Sequence, residues 1–452
     1  MSNLHPEAPA STTADADHQV VLYTAGLVIP ITAPPLLNGA IAVRDGRILH
    51  VGERDWVRRS LADRGISARE IHWPGVLLPG LVNAHSHLQY TGMAEVGRGQ
   101  YNGFDDWSTA FNPVYDQPHD WAADAAAGAQ LMIEAGTTAV ADIVTDVEAS
   151  AALHDAGLHG ITYWEVMSWT NDDWARTGRQ QVEAALDALP SPPGTGLSPH
   201  APYSLEVVPL LEIPDIVRER GSRLHLHLGE AAFEREFHHE HGDPWHGREL
   251  GSFRELRAAG FGTGATEFVD QLGVLGPDCH IAHGIYMTAR DRALLRARGT
   301  SVALCPRSNA VIGLDEPPVA AYLAEGNALA IGTDSLSSSP SLDLMADVAE
   351  LSRIAHSQGH TMRDLPERLL RAATLGGAHA MGIDVGPDRT GHLAVGALAD
   401  LAFFDIPVTG IEDTIVALVE SGTGRAAATL VSGRVRFAST SFMNQTGVTA
   451  HD

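Results

Sequence analysis

The sequence predicts an α/β protein: a (β/α)8 TIM barrel over residues 80–385, flanked by a small β-sandwich domain built from both chain ends, residues 20–79 and 386–438. Three observations carry this. Eight short apolar runs alternate with helix-like stretches through the middle of the chain, the pattern of a parallel sheet covered by helices. Both ends read instead as short strands and turns. The chain has 452 residues and 44% hydrophobic content, enough for one large barrel with additions.

The elements follow in order. Residues 1–19, MSNLHPEAPASTTADADHQ, are polar and small, which predicts a disordered leader; they lack the apolar segment of a secretion signal. VVLYTAGLVI, GAIAVRDGRILHVG and EIHW are β-rich runs broken by turn residues such as Asp45-Gly46. The barrel runs are GLVNAHSHL, TTAVADIV, GITYWEVM, GTGLSPHAPYS, RLHLHLGE, HIAHGI, TSVALCPRSN and ALAIGTDS. Between them lie helix-like segments such as DWAADAAAGAQLMIEAG and LMADVAELSRIAHSQ. LAFFDI and ATLVSGRVRFA, with a turn at Ser432-Gly433, return to strand character, and residues 439–452 read as a tail. GFGTGAT at 260–266 holds a Gly-x-Gly, but no strand leads into it, so it is no dinucleotide site.

Composition removes several function classes. The net charge of −26 disfavours nucleic acid and anionic membranes as partners, since both select basic surfaces. All 30 basic residues are Arg. Without lysine there can be no Schiff base, phosphate-loop lysine or carbamylated lysine bridging two metals. Cys279 and Cys305 form neither a disulfide framework nor a paired metal motif. No uninterrupted apolar stretch of about 18 residues occurs, so no membrane span is expected and the cytoplasm is the expected compartment.

The polar residues that end the apolar runs carry the chemistry, because the C-terminal strand ends form the active face of a barrel enzyme. The first run ends His85-Ser86-His87, the fourth reaches His200, and the fifth gives His225, His227 and then Glu230. The sixth reaches His283, the seventh Ser308-Asn309, and the eighth Asp334. His85 and His87, two apart on a strand, point to the same side. With His227 and Asp334 they offer three nitrogens and one carboxylate oxygen, a set suited to one divalent ion, Zn2+ first and Fe2+ as the alternative. His225, at i−2 from His227, faces the same lumen but deeper, and reads as structural.

PGLVNAHSHLQY, SPHAPYS, HLHLGE, AHGIY, CPRSNAVIGL and GTDS, in this order, resemble the amidohydrolase superfamily, and within it the mononuclear-metal branch of nucleoside and heterocycle deaminases, with chlorohydrolases as neighbours. The resemblance spans about residues 20–437. It implies that His85, His87, His227 and Asp334 are the metal ligands, and that Glu230 shuttles protons. It also implies that His283 polarises the attacking water or the intermediate, that Asp334 takes a proton from that water, and that His200 contacts substrate. The absence of lysine agrees, since the superfamily's binuclear members commonly use a carbamylated one. Ser308 and Asn309 read as braces of the seventh strand end.

FDDW, residues 104–107, resembles a Phe-x-x-Trp segment of related deaminases, which implies a substrate contact at Trp107. Tyr90, Trp107 and Phe111 could stack on a flat heterocycle or equally form the core of a lid. Relatives acting on adenosine-like thioethers often carry a ribose-binding Glu two residues after a Pro here. This chain has Tyr115 at that place, in Pro113-Val114-Tyr115-Asp116. The His-rich stretch FHHEHGDPWH, 237–246, reads as a solvated loop or a lid.

The expected function is metal-dependent hydrolytic deamination of an amino-substituted aromatic N-heterocycle, a purine nucleoside derivative such as aminodeoxyfutalosine. Chlorohydrolase or cyclic amidine hydrolase activity on the same scaffold is the alternative; a ligand-binding barrel without catalysis is the alternative of another class. The resemblance also implies a homodimer.

Overall fold

The computed structural model describes residues 19–235 and 264–448. Strands β1 (Val20–Val28), β2 (Leu36–Arg44), β3 (Arg47–Glu53) and β4 (Ala68–Pro79) open the chain. The next eight are β5 (Leu81–Ser86), β6 (Thr137–Val144), β7 (His159–Val166), β8 (Gly194–Pro199), β9 (Arg223–Leu228), β10 (Cys279–His283), β11 (Ser301–Leu304) and β12 (Leu329–Ile331). They pair in sequence order, every pair parallel, each one on an apolar run expected to be a strand. β6, TTAVADIV, is buried at all eight positions, as a strand covered on both faces must be. Burial there excludes water, so its backbone groups need neighbouring strands as partners.

β5 and β12, the two ends of this sheet, are joined by individual bonds. Asn83 Nδ2 donates to Thr333 Oγ1 at 2.8 Å, Thr333 N–H donates to Asn83 Oδ1 at 3.2 Å, and Asp334 N–H donates to the His85 carbonyl at 3.0 Å. The helices outside are capped where the sequence has capping residues. Helix Ala289–Arg298 begins with a Thr288–Asp291 capping box and ends at Gly299 with φ 73°, buries Leu295, and gains about 1 kcal/mol from its N-cap.

The last strands, β13 (Leu401–Phe404), β14 (Ala426–Val431) and β15 (Arg434–Ala438), join the first four in one seven-stranded sheet, ordered β15-β14-β13-β4-β1-β2-β3. The two chain ends thus form one domain. Its layers come from a single sheet that bends round: the Gly46 carbonyl of one hairpin accepts from Ala399 N–H at 2.8 Å, and the Ala399 carbonyl accepts from Gly433 N–H of the other hairpin at 2.8 Å. Both wings feed one core that includes Ile41, Ile48, Leu430 and Val435.

Residues read as a tail take part in this core. Helix Thr440–Thr446 is capped by Ser439, and Phe442 is buried with its ring 5.3 Å from Trp73 and 5.1 Å from Phe403. One aromatic anchor among polar residues has no periodicity that could announce it. Gly80, the single residue between β4 and β5, joins the domains. A Cβ there would lie 2.1 Å from Thr138 Oγ1, so the chain can pass only as glycine.

Among the described residues no helix is long and apolar enough to cross a membrane. Residues 1–18 of the 1–19 leader, the stretch 237–246 and residues 449–452 of the tail lie outside the described residues.

Candidate active site

The barrel brings the strand-end residues to one cavity. His85 lies on β5 and His87 just beyond it, His227 is on β9, His283 ends β10, and Asp334 follows β12. Ring centroids are 5.1 Å apart for His85–His87, 4.8 Å for His85–His227 and 5.5 Å for His87–His227. Asp334 Oδ1 lies 3.6 Å from His85 Nε2 and 3.9 Å from His87 Nε2. One nitrogen from each of His85, His87 and His227 can be chosen so that all lie within 4.8 Å of one another; the same holds for one nitrogen each of His85 and His283 with a carboxylate oxygen of Asp334.

Local bonds fix the orientation of these groups. His227 Nδ1 donates to the His200 carbonyl at 3.0 Å, which leaves Nε2 as a bare lone pair. Asp334, at φ 60°, accepts from Ser308 Oγ at 2.6 Å on Oδ2 and from Ser335 N–H at 2.8 Å on Oδ1. Beneath them His225 stacks on His85 at 4.9 Å and bonds Ser198 Oγ at 3.0 Å, the deeper layer its position predicted.

Burial sets the protonation states. It pushes His87 down to about 3 and His283 down to about 4. Burial and the neighbouring His200 push His227 well below its ordinary value. These imidazoles are therefore neutral at pH 7. Burial opposes ionisation of Asp334, but the imidazole of His85, its Nε2 3.6 Å from Oδ1, outweighs it and holds the carboxyl well below the usual carboxylate range.

Both ring nitrogens of His85 and the Nδ1 of His87 are buried without a hydrogen-bond partner. Unpaired polar atoms this deep are costly unless a ligand takes them up. Neutral imidazole nitrogens beside one ionised carboxylate are the donor set of a single divalent ion. The residues fit such an ion.

Glu230 stands past β9, after Gly229 at φ 65°. The turn is held by Glu234, whose carboxyl accepts the N–H groups of Gly229, Glu230 and Ala231, each at 2.9 Å. Glu230 Oε1 is 3.3 Å from His283 Nε2. Burial, reinforced by the charge of Asp334, raises the Glu230 carboxyl well above its ordinary value, which favours its protonated form. His200, pushed down to about 4 by burial, donates from Nδ1 to Ser204 Oγ at 2.9 Å, because that hydroxyl gives its own proton to the Ala201 carbonyl.

Over these groups lies a cavity of about 370 Å³. Tyr90, Phe104, Trp107 and Phe111 line it, so three of these four come from helix Phe104–Tyr115. The Trp107 and Phe111 rings are 4.7 Å apart, and Trp107 Nε1 donates to the Ser337 carbonyl at 3.0 Å. Tyr115 turns instead to Tyr90, Phe111 and Trp121, and Asp116 is exposed.

Several residues at the site were not singled out from the sequence. Glu165 closes β7 and lines the cavity; burial, with Asp334 nearby, raises its carboxyl to about 8. It is the last residue but one of β7, as His85 is of β5, so the same strand-end reasoning finds it. Ser335, Ser337 and Ser338 also line the cavity, and Glu234 holds the Glu230 turn. Ser308 and Asn309 brace functional side chains rather than the strand alone: Ser308 bonds Asp334, and Asn309 bonds His283.

A parallel eight-stranded barrel with imidazoles and carboxylates converging at its C-terminal mouth defines the class of metal-dependent barrel hydrolases. The sequence pattern of the Amidohydrolase family matches residues 76–436, and the chain belongs to that family. It is 31% identical over 372 residues to the 5-methylthioadenosine/S-adenosylhomocysteine deaminase of Halobacterium salinarum, covering 77% of this chain and 78% of that protein. It is 27% identical over 401 residues to the 5'-deoxyadenosine deaminase of Methanosarcina mazei, covering 83% and 84%. An adenosine deaminase from Xanthomonas campestris with bound zinc superposes with a TM-score of 0.76 at 24% identity, covering 92% of this chain and 93% of that one.

Proposed function

We propose that this amidohydrolase hydrolytically deaminates an adenosine-derived nucleoside, with one zinc ion held by His85, His87, His227 and Asp334 and iron(II) as the alternative metal. When bound, the ion supplies Lewis acidity, lowering the pKa of water from about 15.7 to about 7. The chain's own groups do the rest. Asp334, an ionised carboxylate in the site, accepts a proton of the attacking water. Glu230 delivers its proton to the ring nitrogen beside the amine-bearing carbon, takes another from the newly added hydroxyl as the carbonyl forms, and passes it to the amine, which leaves as ammonia; Asp334 then releases its proton and Glu230 regains one. His283, neutral with its bare Nε2 toward the site, accepts a hydrogen bond from the attacking water and so polarises it. The aromatic wall with Trp107 receives the flat base, and His200 offers Nε2 to it.

The observation that carries this reading is a buried carboxyl, Glu230, 3.3 Å from the His283 imidazole and beside a cluster of bare ring nitrogens. Hydrolysis at an aminopurine carbon needs a proton donor and a metal site side by side. The test is ammonia release by the zinc-loaded protein from adenosine, 5'-deoxyadenosine, methylthioadenosine, S-adenosylhomocysteine and aminodeoxyfutalosine, with chloride release from a chlorotriazine as the contrasting arm. Glu230→Gln should retain the metal and lose about 10²- to 10⁴-fold in kcat. Chloride release without ammonia release refutes the deaminase reading; full activity of the variant removes Glu230 from the reaction.

A further inference from the structure

We infer that Glu165 is a specificity-determining residue that accepts hydrogen bonds from the sugar hydroxyls of the nucleoside, an inference that rests on the deaminase reading above. Three carboxyl groups line the cavity: Glu165, Glu230 and Asp334. Asp334 faces His85 and His87, and Glu230 faces His283. Glu165 faces only the far nitrogen of His227, its Oε1 3.9 Å from Nδ1. Its side chain is 3% exposed, yet Oε1 makes no hydrogen bond. A buried acceptor left bare costs stability unless a ligand fills it.

Glu165 is not needed to orient a metal ligand. Its Oε1 lies 3.9 Å from His227 Nδ1, and that nitrogen already donates to the His200 carbonyl at 3.0 Å. The near neighbours of Glu165 are His200 and His227, one atom of each lying within 4.8 Å. Helix Phe104–Tyr115 lends the cavity aromatic rings, Ser108 and Asn112, but none of its carboxylates.

The chemistry of the ligand then selects the contact. Beyond its reacting amidine, an aminopurine nucleoside presents ring nitrogens, which only accept, and sugar hydroxyls, which donate. A bare carboxyl oxygen pairs with the donors, and a vicinal diol offers two of them side by side. Hydroxyl recognition of this kind discriminates strongly, because the analogue without the hydroxyl leaves the buried acceptor unpaired.

The experiment compares adenosine with 2'-deoxyadenosine and 3'-deoxyadenosine on the zinc-loaded wild type, Glu165→Gln and Glu165→Ala, measuring kcat and KM separately, affinity by calorimetry, and zinc content. Wild type should prefer the ribonucleoside over at least one deoxy analogue by about 10- to 100-fold. Glu165→Ala should bring that ratio to within about threefold, mainly through KM for adenosine, with zinc content unchanged; Glu165→Gln, which keeps one acceptor oxygen, should fall between. An unchanged ratio in both variants overturns the inference while leaving deamination standing. If wild type binds the nucleosides without releasing ammonia, the deaminase reading fails, and the affinity ratio still decides whether Glu165 reads the sugar. Loss of zinc in both variants makes Glu165 a support of the metal site and overturns the inference.

Discussion

His283 donates from Nδ1 to the side-chain oxygen of Asn309 at 3.1 Å, and this one bond turns its Nε2 toward Glu230. Because the acceptor is an amide oxygen, the proton must sit on Nδ1, which leaves Nε2 the basic nitrogen. Asn309→Leu frees the ring to rotate and to exchange tautomers. Activity should fall about 10- to 100-fold, through kcat, with metal content unchanged. Steady-state kinetics beside metal analysis checks this; a variant with wild-type kcat shows that His283 needs no such anchor.

Metal and fold should be coupled. The purified protein should hold one divalent ion per chain by elemental analysis. A chelator should abolish activity and lower the thermal midpoint, since an ion present at 100 times its Kd stabilises the folded state by about 2.7 kcal/mol. Zinc should restore both. An identical melting curve before and after chelation argues against a bound ion.

The contact between barrel and sheet should depend on pH. His159 on β7 lies 3.3 Å from Asp400 Oδ1 and 3.0 Å from Ser432 Oγ. Burial opposes its charge, but Asp400 wins and raises the imidazole above its ordinary value. A raised folded pKa means stability that is fully present below about pH 6.5, the unfolded value, and lost as pH rises through the folded one. His159→Gln should therefore cost roughly 1–3 kcal/mol at pH 6 and less at pH 8.5. Denaturant midpoints of both proteins at the two pH values measure it; an equal cost at both leaves no role for the charge.

The C-terminal helix should matter for stability and little for catalysis. Phe442→Ala empties a buried position between Trp73 and Phe403 and should cost about 3–5 kcal/mol, with kcat within about twofold of wild type. Urea unfolding followed by tryptophan fluorescence reads the loss. An unchanged midpoint would show that this helix detaches freely.

Legibility in the sequence followed physical periodicity. The eight barrel strands were readable because burial on both faces demands continuous apolar runs, and each run met a helix-forming stretch. Residues near the ends of such runs, among them His85, His227, His283 and Asp334, were readable by position alone; the structure places His85 close to His87 and His227, and also close to His283 and Asp334. Glu165 obeyed the same rule but looked like an ordinary polar residue beside a Trp. Glu234 was illegible for another reason: its work is done through backbone N–H groups, which leave no side-chain pattern. The bend of the flanking sheet was hidden too, since two hairpin turns far apart in sequence meet at Ala399, a residue with no signal of its own.

The seam between the first and last barrel strands gives the site a second significance. His85 stands on one bank of it and Asp334 on the other, and only a few single bonds cross between them. An ion held by both residues, as proposed above, would be a clasp on the cylinder as well as a reagent. The stave that closes the cask and the tool that does the chemistry would then be fastened by the same two side chains, so a change that slackens one would loosen the other.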